Sequence, residues 1–460
     1  MTDAAPPGDH FTTVQDIARL VAGRGGRALL VGGSVRDRLL GLESPDFDLE
    51  VFGIQPRDLI ELLESFHPVD PTGRAFGVLK LKGLPIDVSL PRRESKIGLG
   101  HRGFLVDADP FLPLEAAAAR RDFTINAIAE DPLTGEVIDP FQGRRDLADR
   151  ILRHTSDQFD EDPLRVLRGM QFIARFGLTA APETVLLCRG IGMEGLAPER
   201  IFEEWRKLIL TGETPSLGLA FLRNTGWIDH FPELKALIGC PQDPRWHPEG
   251  DVWTHTLHCL DAFAEERTGD EWEDLVVGLA VLCHDLGKPA TTTDEPDAIR
   301  SLGHCEAGEE PTRTFLGRMT RQLDLVEQVV PLVREHLRPD ELHKAGAGDG
   351  AVRRLASRVG RIDRLVRVAR ADRRGRPPLE DDFPAGPWLL ERAESLKVER
   401  RAPRPLVQGR HLIALGRTPG PDFGPILDAC YEAQLDGAFT DEEGGVAFLR
   451  ALLAGGTDRN

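Results

Sequence analysis

The spacing of hydrophobic positions changes once along the chain, near Pro113. Before it, short apolar runs alternate with turn residues; after it, apolar positions recur mostly at helical intervals. Val14–Ala22 reads as an amphipathic helix closed by "GRGG", and "RALLVGG" as a short buried strand ending at Gly32-Gly33. "SVRDRLL" allows one or two helical turns, with Ser34 as N-cap and Gly41 as stop. "FDLEVFG", "GVLKLKG" and "PIDVSLP" read as further strands between turn residues. Strands confined to the first ~150 residues, then a long helical remainder, predict an α+β chain with a compact α/β head on an all-helical body. Ala402, Pro403, Arg404 and Pro405 mark a linker to a small tail, and no internal repeat or long low-complexity tract is visible.

Composition narrows the picture. At 460 residues the chain exceeds one ordinary core, so two to four domains are expected. No apolar run approaches the ~20 residues of a membrane span, and "MTDAAPPGDH" lacks a basic stretch followed by an apolar one, so neither a membrane partner nor a signal peptide is expected. The six cysteines show no CxxC spacing and read as reduced thiols of a cytoplasmic protein, mostly core filler. A net charge of −18 argues against broad, nonspecific coating of nucleic acid. Basic residues are nevertheless concentrated locally, from Arg353 to Arg376.

Candidate chemistry begins at Gly32-Gly33, where a strand meets a helix start. Glycines there let a phosphate approach backbone N–H groups, and Arg36, one turn on, adds a cation. Asp46 and Asp48 follow, two apart and therefore on one face of a strand, with Phe47 turned inward. Paired carboxylates of this kind hold the two Mg²⁺ ions of in-line displacement at phosphorus. Asp87 is the candidate third carboxylate from a neighbouring strand, with Glu50 in reserve. "RRDFTINAIAED" places Arg120, Arg121 and Asp122 ahead of an apolar helix, suited to triphosphate and ribose. "EDPLRVLRGMQFIARFG" reads as a helix with Asp162 and Arg165 on one face and Arg168 a turn further on.

GGSVRD, DFD, RRDFTINA and EDPLRVLR, in that order, resemble the bacterial CCA-adding tRNA nucleotidyltransferases (class II) and their poly(A) polymerase relatives, over roughly residues 26–235. "LAPERIFEEWRKLIL" resembles the family's next helical motif. The resemblance implies a nucleotidyltransferase head in which Asp46 and Asp48 bind Mg²⁺. Gly33, Ser34, Arg36 and Arg121 would hold the triphosphate, Asp122 the ribose, and Glu161, Asp162, Arg165 and Arg168 the base. Cytosine and adenine both present an amino donor beside a ring-nitrogen acceptor, so an Asp–Arg pair admits both and rejects uracil and guanine. The implied partners are tRNA, CTP and ATP. "PRRESKIGLGHRGF" corresponds to a loop linked in this family to addition of the terminal A, and its full length favours a complete CCA-adder.

His255, His284-Asp285 and Asp372 stand in separate helical segments and suit one divalent ion, a transition metal or Mg²⁺. "CHDLGK" resembles the HD-domain phosphohydrolases, which some bacterial CCA-adding enzymes carry and which implies phosphatase and 2′,3′-cyclic phosphodiesterase activity. His304 and His336 are candidate further ligands or phosphate contacts, whereas His247 and His258 read as structural. The arginine series reads either as a salt-bridged face or as a track for RNA phosphates. The expected division is 1–25 lead helix, 26–150 head, 151–245 neck, 246–400 HD domain and 401–460 tail. The leading expectation is a CCA-adding enzyme with an HD phosphohydrolase. The alternatives are a poly(A) polymerase or a CC- or A-only adder, and an HD hydrolase or RNA-binding regulator with an inactive head. Nothing in the sequence sets an oligomeric state.

Overall fold

The computed structural model describes residues 7–44, 46–70, 78–96, 104–295, 297–379 and 382–455. It divides into two compact units, Met1–His230 and Phe231–Asn460. The division falls within the segment expected as neck.

In the first unit, seven strands among the described residues form one sheet. They are β1 (Arg27–Val31), β2 (Phe47–Phe52), β3 (Val69–Asp70), β4 (Val78–Leu81), β5 (Ile86–Ser89), and, after a β6–β7 hairpin (Arg92–Lys96 and Phe104–Ala108), β8 (Ala129–Glu130) and β9 (Val137–Ile138). Their order is β3-β4-β5-β2-β1-β8-β9. Alternation along β2 decides what each face does. Leu49 and Val51 are fully buried in a core with Val14, Ile17 and Val21 of helix α1 (Pro7–Gly23) and Leu59 and Leu62 of α3 (Pro56–Phe66). Asp48 and Glu50 project from the opposite face.

Helix α2 (Gly33–Leu39) follows β1 directly. Its N-cap is Gly32 rather than Ser34, because the turn out of β1 takes φ 73°, which favours glycine. Beyond Pro113 the chain is less uniformly helical than its pattern predicts. The helix expected after Asp122 is a 3₁₀ turn, Thr124–Asn126, followed by β8. A body of helices then includes α4 (Leu114–Ala119), α5 (Gly143–Ala148), α6 (Leu164–Phe176), α7 (Pro182–Arg189), α8 (Pro198–Thr211) and α9 (Pro215–Thr225). Of the "PRRESKIGLGHRGF" loop, residues 97–103 lie outside the described residues; its ends form the β6–β7 hairpin.

The second unit is mainly helical. Asp270 caps the helix Glu271–Cys283 by accepting from the amides of Trp272 and Glu273 (3.0 and 3.1 Å). The tail expected after Pro405 has its own small core of Val407, Leu412, Cys430, Phe439 and Leu449. Among the described residues no helix is long and apolar enough to cross a membrane.

Most of the arginine series is ion-paired with acids. Arg361 and Arg364 both grip Glu273, with Arg361 also on Asp363. Arg367 bonds Asp274, Arg358 pairs with Glu335, Arg354 with Glu432 and Asp436, and Arg370 and Arg374 with Glu266. These pairings support the salt-bridged reading of this stretch, while Arg358 and Arg370 keep nearly half of their side-chain surface exposed (46 and 47 %).

Candidate active sites

The floor of the first site follows from strand register. β2 and β5 are parallel neighbours, and Asp48 lies directly opposite Asp87. Asp46 stands one residue before β2 and is exposed, as is Asp48. Crowding by the cleft wall, with Asp87 and Asp46 nearby, raises the Asp48 carboxyl above its usual range against the opposing pull of Arg121. Lys80 sits 2.8 Å from Asp87. Glu50, the reserve carboxylate, is only 2 % exposed and is engaged by Arg120 (2.5 Å) and Arg121 (3.6 Å). It anchors the arginine pair instead of joining the acidic floor.

An open cavity of about 290 Å³ rises from this floor. Gly32, Gly33, Arg36, Asp48, Arg121 and Asp122 line one part, and Arg168, Gln171, Phe172 and Arg175 of α6, with Lys207 of α8, line another. A Cβ on Gly32 would lie 3.1 Å from the Arg121 guanidinium and 3.7 Å from Asp48, so glycine keeps this corner open. Arg36 is 4 % exposed and held by Asp37 (2.8 and 2.6 Å), by Asn126 (2.7 Å) and by the faces of Phe172 and Phe176. Ser34 does not line the cavity; its hydroxyl donates to the Val31 carbonyl (3.2 Å). Asp122 accepts from the Phe123 amide (2.8 Å), Asn126 (2.9 Å) and Arg168 (2.7 Å). Burial would raise its pKa, but Arg168 and these bonds hold it below the ordinary value.

The expectation that Asp162 and Arg165 share one face of a helix is not met. Pro163 pushes Asp162 out of the helix (φ −121°, ψ 101°), so α6 begins only at Leu164 and the one-face argument fails. Asp162 instead pairs with Arg200 at 2.8 Å. Arg165 donates to the carbonyls of Gln158 (2.7 Å) and Arg120 (2.6 Å), tying the "RRD" segment to the start of α6. Glu161 closes the 3₁₀ turn Asp157–Glu161.

The second site lies in the other unit, where helix ends meet. Two helices, Glu271–Cys283 and Leu323–Glu335, are followed at once by a histidine. The Nδ1 of each donates to a last-turn carbonyl: His284 to Val281 and His336 to Val333, both 2.7 Å. His304 does likewise with Ser301 (2.7 Å). All three Nε2 atoms are thereby left to face the interior of the cluster. His255, from the helix Val252–Glu265, brings Nε2 to 3.4 Å from His284 Nε2 and 3.0 Å from Asp372. Its Nδ1 faces Glu249 (2.8 Å) and the Gly375 carbonyl (3.1 Å).

Asp285 is 1 % exposed; its Oδ2 is ion-paired with Lys288 (2.7 Å) and lies near His284 (3.3 Å) and His255 (3.8 Å), while its Oδ1 has no hydrogen-bond partner and faces His304 (3.5 Å). Burial would lower the His284 pKa, yet Asp285 lifts it to about 10. Burial, with His284 adding to it, pushes His336 down to about 3. A cavity of about 250 Å³ opens onto Asp285, Lys288, His304, His336, Asp372 and Arg376. Buried carboxylate oxygens, Asp285 Oδ1 among them without a hydrogen-bond partner, beside facing imidazole nitrogens are a donor set that fits a divalent cation.

Residues 28–153 match the family described as "Poly A polymerase head domain", and residues 193–238 match "Probable RNA and SrmB- binding site of polymerase A". The Multifunctional CCA protein of Stenotrophomonas maltophilia (strain K279a) is 40% identical over 378 residues, covering 78% of this chain and 89% of that protein. The chain belongs to the multifunctional CCA protein family. In fold it is similar to the Bacillus stearothermophilus CCA-adding enzyme solved with CTP, at TM-score 0.67 and 23% identity over 99% of this chain and 100% of that one. The Thermotoga maritima CCA-adding enzyme complexed with tRNA gives TM-score 0.57 and 20% identity, over 96% and 95%.

Within this family member, the structure brings Gly33, Arg36, Asp48, Arg121, Asp122 and Arg168 to one cavity, with Asp87 beside Asp48. It likewise gathers His255, His284, Asp285 and Asp372. Sequence reasoning missed Gln171, Phe172 and Arg175, although with Arg168 they follow the i, i+3, i+4, i+7 spacing of one helix face. It also missed Glu249, which bonds both His247 and His255, and Cys259, one turn after His255.

Proposed function

We propose that this protein is a template-independent CCA-adding enzyme that extends the tRNA 3′ end with C, C and A from CTP and ATP, releasing pyrophosphate. The observation that carries this reading is the join of an acidic floor to a cationic cavity in a chain of net charge −18. Asp48 stands beside Asp87, while Arg36, Arg121, Arg168, Arg175 and Lys207 line the same space. Five cations facing one small cavity suit a triphosphate.

Asp46, Asp48 and Asp87 are the residues that would hold Mg²⁺, which when bound neutralises phosphate charge and lowers the pKa of the attacking 3′-hydroxyl. Arg36 is fixed before substrate arrives, so it orients phosphate with little loss of side-chain freedom. Asp122, kept ionised by Arg168, accepts from ribose. Base choice is assigned to Glu161, Asp162 and Arg165. A cytosine or adenine amino group replaces Arg200 on Asp162, and Arg165 donates to the ring nitrogen. Arg168, bonded to Asp122, supports the ribose position rather than the base.

The second unit carries a phosphohydrolase, with His255, His284, Asp285 and Asp372 holding a divalent cation and Lys288 and Arg376 facing the phosphate. We assign both reactions to the cytoplasm, where six free cysteines remain reduced. The test uses tRNA transcripts ending before CCA, after C and after CC, each with CTP and ATP. Stepwise completion to CCA and then arrest is expected. Long A tails would make the protein a poly(A) polymerase instead.

A further inference from the structure

Cys259 lies one helical turn after His255, so both side chains leave the helix Val252–Glu265 on the same face. Its sulfur is 3.3 Å from His255 Nε2, the nitrogen that also faces His284 and Asp372. The ligand atoms of His255, Cys259, His284 and Asp372 all lie within 4.8 Å of one another, and all four residues are buried. Asp285 is the independent sign of a cation: it is 1 % exposed, its Oδ1 lacks a hydrogen-bond partner, and its Oδ2, ion-paired with Lys288 at 2.7 Å, faces the same imidazoles. Gly375 keeps the sulfur in place, because a Cβ there would lie 2.2 Å from Cys259 Sγ.

From this geometry we infer that Cys259 is a sulfur ligand of the cation in the second unit, and that the site therefore selects a borderline-soft transition ion such as Zn²⁺, Co²⁺ or Ni²⁺ over Mg²⁺. The inference rests on reading the His–Asp cluster as a metal site. Imidazole and thiolate favour such ions, whereas Mg²⁺ takes oxygen ligands at near-ideal octahedral geometry. The thiol releases its proton to solvent as the cation binds. The site thus differs in hardness from the carboxylate floor of the head, and one chain would draw on two different metals.

The test is a Co²⁺ titration of the full chain carrying Asp46→Ala and Asp48→Ala, so that the head contributes no ion. Visible d–d bands report cobalt in the second unit, and a near-ultraviolet sulfur-to-cobalt charge-transfer band reports the thiolate. Both bands are expected to rise together, to survive Cys305→Ser, and in Cys259→Ser to reduce to the d–d bands alone. Zn²⁺ affinity should fall about tenfold or more in Cys259→Ser, with Mg²⁺ affinity unchanged. Visible bands without charge transfer in the parent protein overturn the ligand assignment while leaving the metal site standing. That measurement needs no cysteine variant to fold. Charge transfer that persists in Cys259→Ser also overturns it, and absence of any cobalt bands removes the metal site and the ligand together.

Discussion

Three acids near one cleft behave differently because of what surrounds each. Asp48 and Asp87 face each other across a parallel strand pair, while Glu50, two residues along β2, is enclosed by Arg120 and Arg121. The sequence could not separate Asp87 from Glu50 as third carboxylate, since strand parity alone allows either. The partners of Glu50 favour Asp87: a carboxylate already ion-paired with two guanidiniums is a poor metal ligand. Asp87→Asn is therefore expected to cut nucleotide addition by at least about a hundredfold with little change in melting temperature, as loss of a charge acting at the transition state does. Glu50→Gln should behave oppositely, because it leaves two half-buried arginines short of an anion. It should cost about 3–5 kcal/mol in urea unfolding. Equal loss of activity at normal stability in both variants would defeat the assignment.

At the scale of elements, legibility followed the chemistry that each pattern encodes. The strands 27–31, 47–52, 78–81 and 86–89 announced themselves by alternation between turn residues, and so did the glycine pair. The start of α6 did not, because Pro163 removed Asp162 from a helix whose periodicity ran through it. The arginine series was ambiguous for a different reason: its partners, Glu266, Glu273, Asp274 and Glu335, are far away in sequence. Glu273 is the clearest case. Arg364 first, and Arg361 with it, outweigh partial burial and hold its carboxyl at about 2. A depressed folded-state pKa means stability that is complete above the unfolded value of about 4.3 and lost as pH falls towards 2. That interval corresponds to at most about 3 kcal/mol. Glu273→Gln should therefore unfold at lower urea than the parent at pH 7, with the gap narrowing steadily between pH 4 and pH 2. A gap independent of pH would place the cost in packing instead of charge.

At the scale of the molecule, two candidate sites draw on different residues in two separately compact units. The acidic floor and cationic cavity belong to Met1–His230, and the imidazole–carboxylate cluster to Phe231–Asn460. Most of the arginines from 354 to 376 are paired with acids inside the second unit, whereas the cations of the head line an open cavity. The two activities should then fail independently. Asp46→Ala with Asp48→Ala is expected to abolish C and A addition and leave hydrolysis of a 2′,3′-cyclic nucleotide at the parent rate. His284→Ala with Asp285→Ala should abolish the hydrolysis and the metal content of the second unit while CCA addition persists. Circular dichroism and a melting curve guard against unfolding, since Asp285 is buried among Lys288 and three histidines and its removal frees Lys288 of its partner. If the His284, Asp285 variant stayed folded and still hydrolysed the cyclic nucleotide, the hydrolase would have to be sought outside this cluster. Loss of both activities in either folded variant would mean that the two units share one catalytic centre, contrary to the separate donor sets each contains.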